Sequence, residues 1–133
     1  MPIDRIHIKN FKSIKDSGEI YIKPINILIG ANGVGKSNFI SFFKLLNSIY
    51  KQRLKFYVAD NGYENRILYF GRKRSKFLEG SIVFKPEKGN TNNRYNFKLV
   101  PKAQGIGFYF EEDLGGYNLF SNNYNENWDY INM

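Results

Sequence analysis

The stretch Gly30-Ala-Asn-Gly-Val-Gly-Lys-Ser37 constrains this chain more than any other, because it carries the pattern G-x-x-x-x-G-K-[ST] between two segments of different periodicity. The apolar run Ile25 to Ile29 before it reads as a buried strand, and the segment after it has helical apolar spacing. That strand-to-helix setting is what a phosphate-binding P-loop requires. Glycine lets the backbone turn tightly enough for successive N–H groups to point at one anion, which then rests on the N-terminus of the following helix. Lys36 reaches β- and γ-phosphates as a point charge, and the Ser37 hydroxyl suits Mg²⁺, which prefers oxygen ligands. The nucleotide-binding candidates are therefore Gly30, Asn32, Gly33, Val34, Gly35, Lys36, Ser37 and Asn38, with ATP and Mg²⁺ as the expected cofactors, Lys36 as the catalytic candidate and Ser37 as the metal ligand.

The helical spacing comes from Phe39, Phe42, Phe43, Leu46 and Ile49, which recur at steps of three and four and predict a helix reaching about Tyr50 or beyond with this face in the core. Before the loop, Ile6 and Ile8 alternate with Arg5, His7 and Lys9, as in a half-buried strand. Lys12 to Gly18 reads as a polar turn and Glu19 to Ile22 as a short second strand. His7 falls on the wet face, and with one histidine in the chain it has no partner of its kind for a metal.

After the helix, Asp60-Asn-Gly62 is a turn, and Arg66 to Phe70 fits a short strand or a helical turn equally well. Three strands are expected at Gly80 to Lys85, Arg94 to Val100 and Ile106 to Phe110. The Pro, Gly and Asn between them suggest an antiparallel meander. Beyond residue 112 the chain is rich in asparagine and aromatics without apolar periodicity, so residues 113–133 are expected to be a loop, a docked arm or disordered, and residues 1–112 the nucleotide-binding unit.

Charge is divided unevenly. All 20 Lys and Arg lie at or before Lys102, against 7 acids there, a net +13, while residues 103–133 hold 5 acids and no cation. A basic body attracts polyanions. Arg72, Lys73, Arg74 and Lys76, four cations in five positions, are the candidates for contact with DNA phosphates; the alternative is a solvated loop. No apolar run approaches the roughly 18 to 20 residues that span a bilayer, there is no signal-like N-terminus, and cysteine is absent, so the expected location is cytoplasmic.

Ile8-Lys-Asn-Phe-Lys-Ser13, followed by a strand and Gly-Ala-Asn-Gly-Val-Gly-Lys-Ser-Asn38, resembles the start of an ABC-type ATPase of the RecF, SMC and OLD group, often filed as AAA family ATPases. Phe39 to Phe43, Tyr57-Val-Ala59 and Ile67 to Gly71 extend the similarity to bacterial members linked to DNA repair and phage defence, over most of residues 3–112. The resemblance implies an α/β P-loop NTPase fold, a partial ABC-type lobe in which the P-loop strand and helix join an antiparallel β subdomain. It also places Asn10, Phe11, Lys12 and Ser13 near the nucleotide.

Related proteins continue for several hundred residues, adding a lobe with a Gln loop, a signature motif, an acidic Walker B pair and a switch histidine. Ile106 to Glu112 imitates a Walker B strand but sits where the family has its antiparallel subdomain; Leu114-Gly-Gly116 lacks the signature's Ser and Gln, and Gln104 reads as a turn residue. Two functions follow. One is the ATP-binding lobe of an ATPase that dimerises on nucleotide or takes its second lobe from a longer partner chain; the other is a stand-alone nucleotide-binding module without its own catalysis. A GTPase or P-loop kinase is weaker, since no Asn-Lys-x-Asp guanine reader occurs.

Overall fold

A computed structural model of the chain describes residues 3–22, 33–85, 91–119 and 129–132. The expected strand Ile25 to Ile29, with Gly30 and Asn32, lies outside the described residues. Strands β1 (Ile3–Phe11) and β2 (Ile14–Tyr21) precede four helices, α1 (Gly33–Tyr50), α2 (Leu54–Asp60), α3 (Tyr63–Ile67) and α4 (Gly71–Arg74). Strands β3 (Leu78–Phe84), β4 (Thr91–Pro101), β5 (Phe108–Leu119) and β6 (Asp129–Asn132) follow. The strands form one antiparallel sheet in the order β2-β1-β3-β4-β5-β6, so the architecture is mixed α/β with the helices inserted between β2 and β3.

Period-two patterning gives the sheet one apolar face. Ile6 pairs across to Ile82 and on to Tyr95, Ile8 to Gly80 and Phe97, and Leu78 to Leu99. The intervening positions Arg5, His7, Lys9, Glu79, Ser81 and Lys98 belong to the opposite, polar face. Phe42 and Leu45 of α1 are fully buried in the core with Ile6, Ile8, Phe11 and Phe97, while Phe39, Phe43, Leu46 and Ile49 flank them partly buried. The apolar stripe is as expected, but its centre lies at Phe42 and Leu45.

Gly80 explains why Phe42 holds that centre. A Cβ there would come within 2.4 Å of the Phe97 ring and 2.9 Å of the Phe42 ring, so two aromatic side chains occupy the space that a side chain on β3 would fill. The Phe42 and Phe97 rings stack with centroids 6.2 Å apart, and Phe11 meets Phe42 edge-on at 5.8 Å.

Two elements differ from their sequence-based expectation. The polar segment Lys12 to Gly18 is not one turn: only Lys12 and Ser13 turn, and β2 begins at Ile14. Its excess length becomes a bulge, because His7 faces Glu19 and Lys9 faces Asp16, leaving one residue on β1, Ile8, against two on β2, Ser17 and Gly18. Ser17 Oγ accepts the Ile8 N–H at 2.9 Å, Asp16 accepts the Gly18 N–H at 2.9 Å, and Gly18 takes φ +63°, so the polar residues satisfy the ladder instead of ending it. His7 is also engaged here, its Nε2 2.5 Å from Asp16 Oδ1. At the other end of the chain β5 runs through residue 112 and the Gly115-Gly116 pair to Leu119, and β6 pairs with it. Backbone pairing along β4 carries the strand across a segment whose composition reads as irregular.

Candidate functional site

Helix α1 begins at Gly33, so the motif residues Gly33 to Ser37 form its opening, and the first four backbone N–H groups there have no acceptor within the helix. Its opening lies against the β1–β2 turn: the Asn38 amide donates to Ser13 Oγ, and Ser37 is exposed. That turn has an unusual backbone. Asn10 and Lys12 both adopt left-handed conformations, φ +59° and +51°, which cost a non-glycine residue about 1 kcal/mol or more each. Two hydrogen bonds hold it: the Lys12 N–H donates to Ile67 O at 2.7 Å and the Tyr69 N–H donates to Asn10 O at 3.1 Å, which together make Phe11 and Leu68 an antiparallel bridge.

A cleft of about 690 Å³ opens between these pieces, lined by Lys12, Ser13, Asn38, Asn61, Arg66, Leu68, Tyr69 and Phe70. None of those residues is a carboxylate. Lys12 Nζ contacts Asn61 Oδ1 at 3.4 Å, and its pKa is lowered, first by burial and then by the Lys44 ammonium. A partly desolvated lysine with no carboxylate among the described residues around it in the cleft is suited to an anionic ligand. Phosphate groups fit this donor set, and the exposed Ser37 hydroxyl is an oxygen ligand of the kind Mg²⁺ takes.

Lys12, Ser13 and Asn38 are thus brought together at the opening of α1. Phe11 is not: its ring is fully buried against Phe42, so it supports the turn and presents no surface to a ligand. Asn10 contributes its carbonyl to the turn. Asn61, Arg66, Tyr69 and Phe70 come to the cleft from residues whose sequence pattern did not assign them to it. The Asp60-Asn-Gly62 turn and the ambiguous Arg66 to Phe70 segment are where they lie, and the left-handed Phe70 before Gly71 has no signature in periodicity.

The four cations after Gly71 form the short helix α4 and its exit. Lys73 and Arg74 are exposed, whereas the Arg72 guanidinium donates to Lys102 O at 2.5 Å and Lys76 Nζ donates to Arg72 O at 3.3 Å. Glu64, buried in α3, accepts the Gly107 N–H and fastens the 102–107 loop beside them.

A larger groove of about 890 Å³, walled by Phe43, Leu46, Phe84 and Tyr95, is apolar and carries one cation, Lys55. Its Tyr95 hydroxyl donates to Asp113 at 2.5 Å, and burial followed by that bond pushes the phenol's pKa up. Among the described residues no cluster of three His, Cys, Asp or Glu could hold a metal, and no helix is long and apolar enough to cross a membrane.

A helix opening on a glycine-rich lysine-serine motif beside a cationic cleft is the arrangement of a nucleotide-handling domain. Residues 1–129 match the AAA ATPase domain family, and the chain belongs to that family. It is also 30% identical over 95 residues to the chromosome partition protein Smc of Methanocaldococcus jannaschii. That similarity covers 71% of this chain and 7% of the archaeal protein, so the chain spans a small fraction of its relative's length.

Proposed function

We propose that the chain is the ATP-binding lobe of an ABC-type ATPase, holding ATP–Mg²⁺ on the backbone of Gly33 to Ser37, with Lys36 on the β- and γ-phosphates and Ser37 on the metal. Bound Mg²⁺ would neutralise phosphate charge during transfer. The supporting observation is the seating of the α1 opening against the Ser13 turn and its Lys12-lined cleft. Lys36→Ala is expected to weaken ATP–Mg²⁺ binding about tenfold or more, the worth of a charge-assisted hydrogen bond. Equal affinity of mutant and parent in calorimetric titration overturns the assignment.

The same reading extends to the setting in which the lobe works. Similarity to a protein named for chromosome partition and a net charge of +8 favour action on DNA, in maintenance, repair or phage defence, in the cytoplasm. Hydrolysis would then need a second lobe, supplied by a homodimer or a longer partner chain. The other reading, a stand-alone nucleotide-binding module pairing with a longer protein, predicts the same titration but no stimulation of hydrolysis in any assembly.

DNA affinity should arise from phosphate contacts by Arg72, Lys73, Arg74 and Lys76 and be indifferent to sequence. With up to four phosphates neutralised, log K should fall against log salt with a slope of about −3 to −4. Neutralising the four side chains should flatten the slope; binding that ignores salt, or that survives the substitutions unchanged, rules the patch out.

A further inference from the structure

We propose that Phe70 is the stacking platform for the base of a bound purine nucleotide, an inference that rests on phosphate binding at the opening of α1. The ring is 74% exposed, yet it lines the cleft that also holds Lys12, Ser13 and Asn38. Its backbone is left-handed, φ +53°, and the next residue, Gly71, is left-handed too at φ +78°. Phenylalanine has no short polar group to ease that conformation, so the surroundings impose it. Gly71 N–H donates to Leu68 O at 3.0 Å, Ser75 Oγ donates to Tyr69 O at 2.5 Å, and the Tyr69 ring braces Phe70 edge-on, centroids 4.6 Å apart.

The result is an apolar plate braced at one wall of a cleft whose other described lining groups, Leu68 apart, are cationic or hydrogen-bonding. Hydrophobic burial does not account for the position, because most of the ring faces water. A nucleotide accounts for both halves: its phosphates take the Lys12, Ser13 and Asn38 side, and its base covers the ring. Arg66, which lines the same cleft and makes no hydrogen bond or ion pair with the described residues, can donate to acceptor nitrogens or oxygens at the base edge. The cleft's 690 Å³ lies within the range of small-molecule sites.

The test separates base from phosphate by titrating Mg²⁺–ATP and Mg²⁺–tripolyphosphate, which has no base, against the parent chain, Phe70→Ala and Phe70→Trp. Stacking of a base on an aromatic ring corresponds to roughly a five- to 150-fold change in affinity. Phe70→Ala should therefore lose at least about fivefold for ATP while leaving tripolyphosphate unchanged, and Phe70→Trp should retain ATP affinity. Unchanged ATP affinity in Phe70→Ala overturns the proposal, as does an equal loss for both ligands, which would mark a structural role. If the parent chain binds neither ligand, the phosphate-binding reading itself fails and the stacking role falls with it.

Discussion

Purified on its own, the 133-residue chain is expected to turn over ATP far more slowly than about 1 s⁻¹, the lower end of ordinary enzyme rates. Hydrolysis needs a carboxylate or equivalent group within hydrogen-bond reach of the attacking water. The cleft beside α1 has no carboxylate among the described residues that line it. The acidic pair Glu111-Glu112 stands elsewhere. Lys9, Glu79, Lys98 and Glu112 face one another in register across β1, β3, β4 and β5, so Glu112 is three strand spacings from β1, about 14 Å at ~4.8 Å each. Glu111 is the extra residue where the β4–β5 register shifts, and it lies 3.5 Å from the Lys98 ammonium. Each missing positioning or charge-stabilising group typically costs two or more orders of magnitude. A steady-state assay should give residual turnover indifferent to Glu111→Gln and Glu112→Gln. Turnover near 1 s⁻¹ that disappears with either substitution would mean that β5 carries the catalytic carboxylate and that no second lobe is needed.

Phe42→Ala is expected to destabilise the fold by about 3–5 kcal/mol, the usual range for deleting a buried aromatic ring. A loss of that size is a large part of the 5–15 kcal/mol that holds a domain together. Phe42 has no exposed surface, and its ring touches Phe11 from the Ser13 turn, Phe43 from its own helix and Phe97 from β4. Gly80 below it has no side chain to move into the vacated volume, so a cavity term adds to the lost transfer energy. Phe56→Ala is the control: that ring is 69% exposed, and its removal should stay within about 0.5 kcal/mol. Urea unfolding with an unchanged slope reads both; a loss below 1 kcal/mol for Phe42→Ala would show that α1 is not seated over Gly80.

What was legible in the sequence is what local chemistry controls. The glycine-lysine-serine run followed by apolar steps of three and four specified a helix opening at the motif, and α1 starts at Gly33 and ends at Tyr50. Alternation at Ile6 and Ile8, and at Tyr95, Phe97 and Leu99, specified half-buried strands, because a side-chain period of two puts alternate residues on one face whatever the partner. Pro and Gly between the later strands specified the consecutive antiparallel pairing of β3, β4 and β5.

Tertiary structure decided the rest, for reasons no local window contains. Which residue sits at the centre of the α1 stripe depends on Gly80, 38 positions beyond Phe42, leaving room for a ring. Whether Asp16 to Gly18 turns or bulges depends on the Ile8 N–H needing an acceptor from across the hairpin. The cleft depends on the left-handed Asn10 and Lys12 at the exit of β1, which the α3 exit holds through Ile67 O and the Tyr69 N–H. Phe70 comes to the cleft with that same docking: its neighbours Leu68 and Tyr69, in a segment whose sequence fits a strand or a helical turn equally well, pair with Asn10 and Phe11 nearly sixty positions earlier in the chain.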